Sequence, residues 1–146
     1  MKNNFMRGVC FACLLLFIGC SAFPLEKNPY CVSAEFVMDE DSTEYGICGA
    51  NLFFYNHSER TVKKIEVVFF LFDSDGEPAA ECSSRVTVNI EKEVGPEEDL
   101  HVCLSLDSFM TYVPESMLEI DYLYVSKITY ADESVWEDPY GLKAFM

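Results

Sequence analysis

The residues best suited to covalent or metal chemistry are the cysteines, of which the chain has seven. Four of them are spread along the body of the chain: Cys31, Cys48, Cys82 and Cys103. None belongs to a CxxC motif, and the chain has only two histidines to complete a ligand set. Zinc sites and thioredoxin-like redox centres use clustered thiols or imidazoles, so this spacing disfavours both. An even number of separated cysteines in an exported chain instead predicts disulfides.

The positions of these cysteines favour one pairing. Cys31 and Cys48 lie on either side of the acidic turn at Glu40-Asp41, so an antiparallel hairpin would place them opposite each other. We therefore favour a Cys31–Cys48 disulfide and, by elimination, a Cys82–Cys103 disulfide. Each would close a loop worth about 3 kcal/mol in the chain-entropy model. Four buried free thiols are the alternative.

No group of residues marks a catalytic centre. His57 lies in a predicted turn and His101 on a predicted strand face, and neither accompanies a recognisable serine or cysteine nucleophile motif. The chain has 25 Asp and Glu residues, but the sequence singles out no pair for glycoside cleavage. We therefore predict a protein that is not an enzyme, with no catalytic residues and no cofactor.

Two acidic segments and one asparagine motif are better interpreted as turns than as binding sites. The segment Asp73-Ser74-Asp75-Gly76-Glu77 begins like a calcium loop but lacks the later oxygen ligands of an EF-hand. A hairpin turn in which the glycine supplies a positive φ is favoured. Asp39-Glu40-Asp41 with Glu44 is predicted to be a solvated turn. The formal glycosylation motif Asn56-His57-Ser58 is interpreted as turn chemistry, and no metal site is expected.

The charge of the chain excludes one class of partner. Asp and Glu outnumber Lys and Arg by 25 to 10, which gives a net charge of −15. A surface this acidic repels phosphate backbones, so we expect no nucleic-acid binding. A length of 146 residues fits one domain after removal of a leader.

The N-terminal segment is typical of an export signal. Met1–Gly8 is short and positively charged, and Val9–Ile18 is an apolar stretch too short to span a bilayer. The segment ends in Leu16-Phe17-Ile18-Gly19-Cys20-Ser21, which resembles the lipobox of bacterial lipoproteins. Phe17 departs from the usual leucine at its position.

The lipobox resemblance implies a membrane anchor. Residues 1–19 would be removed, Cys20 would be acylated, and residues 20–30, with two prolines, would form a tether. The protein would then be lipid-anchored to a bacterial membrane in the cell envelope. The alternative is an ordinary secretory signal cut after Ala22.

The body reads as a series of strands around one apolar segment. Thr61–Pro78 runs through Ile65–Phe72, which is apolar apart from Glu66, and stops at turn formers, which predicts a buried strand. Further strands are predicted at Cys31–Met38, Tyr45–Asn56, Ala80–Ile90, Leu100–Leu106 and Leu118–Tyr130. Asp107–Met117 is predicted to be a loop or one helical turn. We therefore predict an all-β domain over residues 31–146, an antiparallel β-sandwich of about 6–8 strands.

A family resemblance appears in the central strand. Phe69-Phe70-Leu71-Phe72-Asp73 resembles the signature of small bacterial FxLYD-type domains, with Phe72 in place of tyrosine. Asn56-His57-Ser58 and Gly95-Pro96-Glu97 agree with it, and the likeness covers Tyr45–Leu106. The resemblance implies an immunoglobulin-like sandwich on an exported protein, acting as an accessory or interaction domain without catalytic residues.

The same strand has a second apolar face that needs a cover. Because strand neighbours alternate, Val68, Phe70 and Phe72 point away from the face that carries Phe69. Our preferred prediction is that Asp107–Met117 and the tail with Trp136 cover these residues. Otherwise they form a surface for a protein partner. We expect a non-catalytic envelope protein that acts by interaction, with a secreted or periplasmic small-ligand-binding protein as the alternative.

Overall fold

The computed structural model describes residues 28–39, Glu44 and residues 46–144. The predicted signal peptide, the predicted acylation site Cys20 and most of the predicted tether lie outside the described residues. So do residues 40–43 of the acidic turn. No helix in the described part of the chain is long and apolar enough to cross a membrane.

Seven strands make up the described domain. They are β1 (Tyr30–Met38), β2 (Cys48–Asn56), β3 (Val62–Phe72), β4 (Arg85–Ile90), β5 (Asp99–Ser105), β6 (Glu119–Tyr130) and β7 (Val135–Glu137). One sheet has the order β1-β2-β5 and the other β4-β3-β6-β7, and all neighbours are antiparallel. The predicted all-β antiparallel sandwich is confirmed. The first, second and fifth strands share one sheet and the third, sixth and seventh share the other, as in immunoglobulin-like sandwiches.

The third strand lies at the centre of the second sheet. It is hydrogen-bonded to β4 on one edge and to β6 on the other. Its alternate residues Ile65, Val67, Phe69 and Leu71 are buried in the core between the sheets, as the sequence pattern predicts. Val68 is also fully buried but lies on the opposite face, outside that core cluster. A strand with no free edge and two apolar faces explains the nearly continuous hydrophobic run.

An aromatic contact joins the two sheets and holds the last strand. The hydroxyl of Tyr30 in β1 accepts a hydrogen bond from the backbone N–H of Val125 in β6, at 3.0 Å. Its ring stacks on Phe54 at 6.1 Å and meets the edge of Trp136 at 5.6 Å. Burial raises the pKa of the Tyr30 hydroxyl, so it stays protonated at neutral pH. Trp136 therefore packs into the core, within a short strand that the sequence analysis left as tail.

A buried asparagine fastens the loops at one end of the sandwich. The side-chain amide of Asn56 donates to the carbonyls of Arg60 (2.8 Å), Val94 (3.1 Å) and Gly95 (2.9 Å). Its side-chain oxygen accepts the backbone N–H of Ser58 at 3.0 Å. The amide is fully hydrogen-bonded, which is what allows a polar side chain to be completely buried. The interpretation of Asn56-His57-Ser58 as turn chemistry is confirmed.

The turn after β3 also has the predicted form. The Asp73 carboxylate accepts the backbone N–H groups of Asp75 (2.9 Å) and Glu77 (3.0 Å), and Gly76 has a φ of 78°. The carboxylate that could have started a calcium loop is used to stabilise a turn.

The predicted disulfide pairing is wrong. In the β1–β2 register Cys31 lies opposite Tyr55 and Cys48 lies opposite Met38, so the two cysteines sit at opposite ends of the hairpin. At about 3.3 Å per strand residue their Cα atoms are roughly 23 Å apart, far beyond disulfide reach. The β1–β2 pairing is centred on position 43 rather than on Glu40, so every residue of β1 faces a different residue of β2 from the one predicted.

The second predicted bridge, Cys82–Cys103, has no support either. Cys103 in β5 lies opposite Asn51 in β2, on the outer side of the three-stranded sheet, whereas Cys82 packs against the core. All four cysteines are free thiols in the structure, and only Cys48 is buried. The alternative of four buried thiols is therefore also inaccurate, since Cys31 is exposed.

Replacing Asn56 tests the loop fastening. We expect Asn56→Ala to lower the free energy of unfolding by about 2–4 kcal/mol, because buried carbonyls lose their donor. The matched control is Asn51→Ala, an exposed asparagine in the same strand, which should change it by less than about 0.5 kcal/mol. Urea denaturation measures both, and equal effects would contradict the assigned role of Asn56.

Candidate functional site

The outer face of the four-stranded sheet carries the residues that the sequence analysis proposed as a partner surface. Phe70 and Phe72 are half-buried there, beside Asp121 and Glu119 of β6 in the register. The prediction that Val68 belongs to this surface is wrong, because Val68 is fully buried and offers no surface to a partner. It lies opposite Tyr124, which is also buried.

The C-terminal tail, residues 138–144, lies on this face and covers Tyr124. Asp138 is buried, and its backbone N–H donates to the carbonyl of Ser126 in β6 at 2.9 Å. Its carboxylate accepts the backbone N–H groups of Leu142 (3.0 Å) and Lys143 (2.8 Å). The Tyr124 hydroxyl donates to the carbonyl of Pro139 at 3.3 Å. The tail lies on the predicted face, but it covers Tyr124 and leaves Phe70 and Phe72 in an open groove, and Trp136 itself packs into the core.

The other predicted cover lies elsewhere. Residues 107–109 form a 3-10 helix, as the expected helical turn, and Met110 forms a β-bridge with Cys82. Thr111 donates its N–H to the carbonyl of Glu81 at 2.7 Å. The segment is held at the end of the sandwich because the Asp107 carboxylate accepts the N–H groups of Ile47 (3.1 Å) and Cys48 (2.8 Å). The prediction that Asp107–Met117 covers the second face of β3 is therefore wrong.

Beyond the tail an aromatic groove remains open. It encloses about 610 Å³ and is lined by Phe70, Phe72, Arg85, Tyr122, Tyr124, Pro139 and Tyr140. The Tyr122 ring lies 6.1 Å from that of Phe70 and 6.0 Å from that of Phe72. Tyr122 is 56% exposed and Tyr140 is 79% exposed. We call these lining residues the aromatic groove.

A β-bulge sets the position of Tyr122. Three residues of β3, Val68–Phe70, face four residues of β6, Asp121–Tyr124. Tyr122 adopts a φ of 49°, and its N–H donates to the Asp121 side chain at 2.7 Å. A bulky residue with positive φ is strained, and such strain persists where the surroundings or a function require it. Here the bulge turns an aromatic ring onto the open part of the face.

Charges of both signs lie near the groove. Arg85 is the one charged side chain among its lining residues. Asp121 and Glu119 stand on the same sheet, opposite Phe70 and Phe72 in the register. The arrangement presents aromatic rings with two carboxylates nearby, which suits the binding of apolar and cationic groups. It has no paired titratable groups of the kind that acid–base catalysis uses.

The outer face of the three-stranded sheet has a different, polar character. A shallow depression of about 770 Å³ is lined there by polar side chains that include Ser33, Glu35, Glu44, Asn51, Lys92, His101 and Cys103. His101 Nε2 lies 3.2 Å from Asp99 Oδ2, and both side chains are largely exposed. Burial, with a further contribution from Glu44, raises the pKa of the Cys103 thiol. A raised pKa is the opposite of what an activated cysteine nucleophile needs.

At the edge of that sheet the exposed Cys31 Sγ lies 3.3 Å from His57 Nε2. The described residues contain no group of three or more His, Cys, Asp or Glu side chains placed to hold a metal ion. The aromatic groove is therefore the surface with the clearest binding character in the described part of the chain.

The sequence analysis named part of this groove. It identified Phe70 and Phe72 from strand alternation but included Val68. Tyr122, Arg85 and Tyr140 were missed, because they come from a bulge, the neighbouring strand and the tail. For Tyr140 the only available signal was an aromatic residue in a segment without periodicity.

Comparisons with known proteins show a shared fold and give no family or activity. No protein-family model matches the chain, and no curated protein matches it. Among solved structures, the chain is similar to a hypothetical protein from Peptoclostridium difficile 630, with a TM-score of 0.59 and 13% sequence identity. The match covers 82% of this chain and 91% of that chain. At this identity the similarity establishes a shared architecture alone.

Two glycine substitutions test how the tail is seated. Gly141 has a φ of 67°, and an added Cβ would lie 2.8 Å from the Tyr124 ring. Gly76 has a similar φ of 78° but no heavy atom within 4 Å of such a Cβ. Gly76→Ala should cost about 1 kcal/mol from backbone strain alone. Gly141→Ala should cost more, because the tail must also move off Tyr124.

The unfolding free energies and the hydrogen exchange of residues 138–144 measure the difference between the two variants. We expect faster exchange of the tail amides in Gly141→Ala only. Equal costs with unchanged exchange would contradict the close contact between the tail and Tyr124.

Proposed function

We propose that this chain is a non-catalytic binding protein of the bacterial cell envelope that engages a protein partner through the aromatic groove. The observation that carries this proposal is the pair of exposed tyrosines, Tyr122 and Tyr140, beside the half-buried Phe70 and Phe72. Tyrosine and phenylalanine are enriched at protein interfaces, since they bury a large area with few rotatable bonds. The strain at Tyr122 supports a role for its ring outside the domain.

Charge supports a partner of a particular kind. The chain carries a net charge of −15, and Glu119 and Asp121 lie opposite the groove residues Phe72 and Phe70 in the register. A positively charged partner is attracted to such a surface and docks faster. The occupant of the groove is therefore a protein segment that presents apolar side chains next to lysine or arginine.

The volume of the groove favours a second candidate function, the binding of a small ligand. About 610 Å³ lies within the range of roughly 300–1,000 Å³ that small-molecule sites occupy. Such sites bury most of the ligand surface, whereas the two tyrosines of this groove are more than half exposed. An open aromatic surface fits a protein partner better, and we keep the small ligand as the alternative.

The anchoring part of the proposal depends on the leader. The segment that ends in Gly19-Cys20 supports acylation of Cys20, and β1 begins ten residues later at Tyr30. Ten extended residues span at most about 35 Å, which would hold the domain close to the membrane surface. A domain held there meets envelope partners at a raised effective concentration.

Metabolic labelling with palmitate tests the anchor. We expect the wild-type protein to incorporate label and Cys20→Ala to incorporate none, because the thiol of Cys20 is the proposed acceptor. Cys31→Ala serves as the control and should label like the wild type. An unlabelled wild-type protein, or label that survives in Cys20→Ala, contradicts the anchor.

Site-specific photocrosslinking tests the groove. A photoreactive phenylalanine analogue placed at Tyr122 or Tyr140 in intact cells should crosslink to a defined protein. The same analogue at Tyr112, which is 57% exposed but lies outside the groove, should not. Once the partner is identified, Tyr140→Ser should weaken its binding by about ten- to thirtyfold, the effect of losing an interface hot spot.

Two results would contradict the groove as an interface. One is equal crosslinking at Tyr112 and Tyr122. The other is unchanged affinity of the purified partner for Tyr122→Ser and Tyr140→Ser, when Tyr112→Ser behaves like the wild type.

A further inference from the structure

The four cysteines of the body fall into two pairs by position. Cys31 and Cys103 lie on the outer side of the three-stranded sheet, where they alternate with core residues of their strands. Cys48 belongs to the core cluster, and Cys82, in the connection between β3 and β4, packs against that cluster. The two inner cysteines therefore contact the same core from different parts of the chain.

Backbone contacts fix Cys48 to the segment that leaves β5. Cys48 is the first residue of β2 and is 1% exposed. Its N–H donates to the Asp107 carboxylate at 2.8 Å, and its carbonyl accepts the N–H of Leu106 at 2.8 Å. Cys48 is thereby fastened to the start of the segment 106–110.

Cys82 is fastened to the end of the same segment. It forms a β-bridge with Met110, and the N–H of Ser83 donates to the carbonyl of Phe109 at 3.2 Å. The 3-10 helix Asp107–Phe109 lies between the two attachment points. Such a helix rises only about 2 Å per residue, so Leu106 and Met110, the two attachment points, are separated by roughly 6–8 Å. Cys48 and Cys82 are thus attached to the two ends of a single short element.

The electrostatics of the two thiols agree with this placement. Burial raises the pKa of the Cys82 thiol, with smaller contributions from Glu81 and from Cys48. Burial also raises the pKa of the Cys48 thiol, and Asp107 adds to the effect. Cys48 is thus within electrostatic range of the Cys82 thiol, and the raised pKa values keep both thiols protonated at neutral pH.

We propose that Cys48 and Cys82 form an intrachain disulfide that joins the two sheets, made by exchange with a disulfide-donating oxidant. The bridge would cross the core between the strand that begins at Cys48 and the β3–β4 connection. It is independent of the aromatic groove, which lies on the outer face of one sheet.

The exchange balances in two steps. Cys82, the more accessible thiol, loses its proton and attacks one sulfur of the donor disulfide, and the first donor thiol leaves with a proton. Cys48 then loses its proton and attacks the sulfur of Cys82 in the mixed disulfide, which releases the second donor thiol. The two cysteines lose two electrons, and the donor disulfide is reduced to two thiols.

The bridge would stabilise the domain by restricting the unfolded chain. It would close a loop of about 35 residues that contains the whole of β3, the strand that pairs on both edges. Cross-linking across the core would also keep the two sheets in register during partial opening at this end.

Peptide mapping after oxidation tests the proposal. The purified full chain is incubated, folded, with oxidised glutathione and then digested without reduction. We expect a peptide that joins Cys48 to Cys82, together with a rise in the urea midpoint that dithiothreitol reverses. The double variant Cys31→Ser/Cys103→Ser should keep both effects, and Cys82→Ser, at a partly exposed position, should lose both.

Three results would overturn the proposal. The first is a map in which Cys48 and Cys82 remain free after oxidation. The second is a map that joins either of them to Cys31 or Cys103. The third is a Cys48–Cys82 peptide that appears only when the oxidation is carried out in denaturant.

Discussion

The constraint on which this structure depends is the burial of the large apolar side chains that β3 carries on both faces. It is hydrogen-bonded on both edges and carries large apolar side chains on both sides. The inner face is covered by the opposite sheet. The outer face is covered only as far as the tail reaches, over Tyr124 beside the buried Val68, and the groove begins where this cover ends. The candidate site is thus the uncovered remainder of a face that the fold would otherwise have to bury.

Two polar side chains hold the connecting loops at the two ends of the sandwich. Asn56 joins the turn before β3 to the loop after β4, so that Asn56–Ser58 and Gly95 meet at one end of the sandwich. Asp107 holds the segment after β5 against the start of β2 at the other end. Each replaces several backbone–water hydrogen bonds with protein contacts, which is why these loops have fixed positions. With residues 107–110 held at the end of the sandwich, the tail is the segment that covers the outer face in the described part of the chain.

Local patterns predicted the strands well and long-range pairing poorly. Alternation and the turn residues after Phe72 located β1 to β6, because burial of one face imposes a period of two. The register of β1 and β2 was missed, since it depends on where the turn is centred, and this moved Cys31 and Cys48 apart. The β7 strand was missed because three residues carry no periodic signal. The bulge at Tyr122 lacks a glycine to mark it, and Tyr140 reaches the groove only through the tail.

The proposed role follows from these physical features rather than from any relative, since the similarity to the solved structure concerns the fold alone. Its central claim is that a protein covers Tyr122 and Tyr140 in the cell. Oxidative footprinting of tyrosines, compared between intact cells and the purified protein, measures this cover directly. The account predicts that Tyr122 and Tyr140 are protected in cells, while Tyr112, with an exposure similar to that of Tyr122, is modified equally in both samples. Equal modification of all three tyrosines in cells and in the purified protein would contradict it.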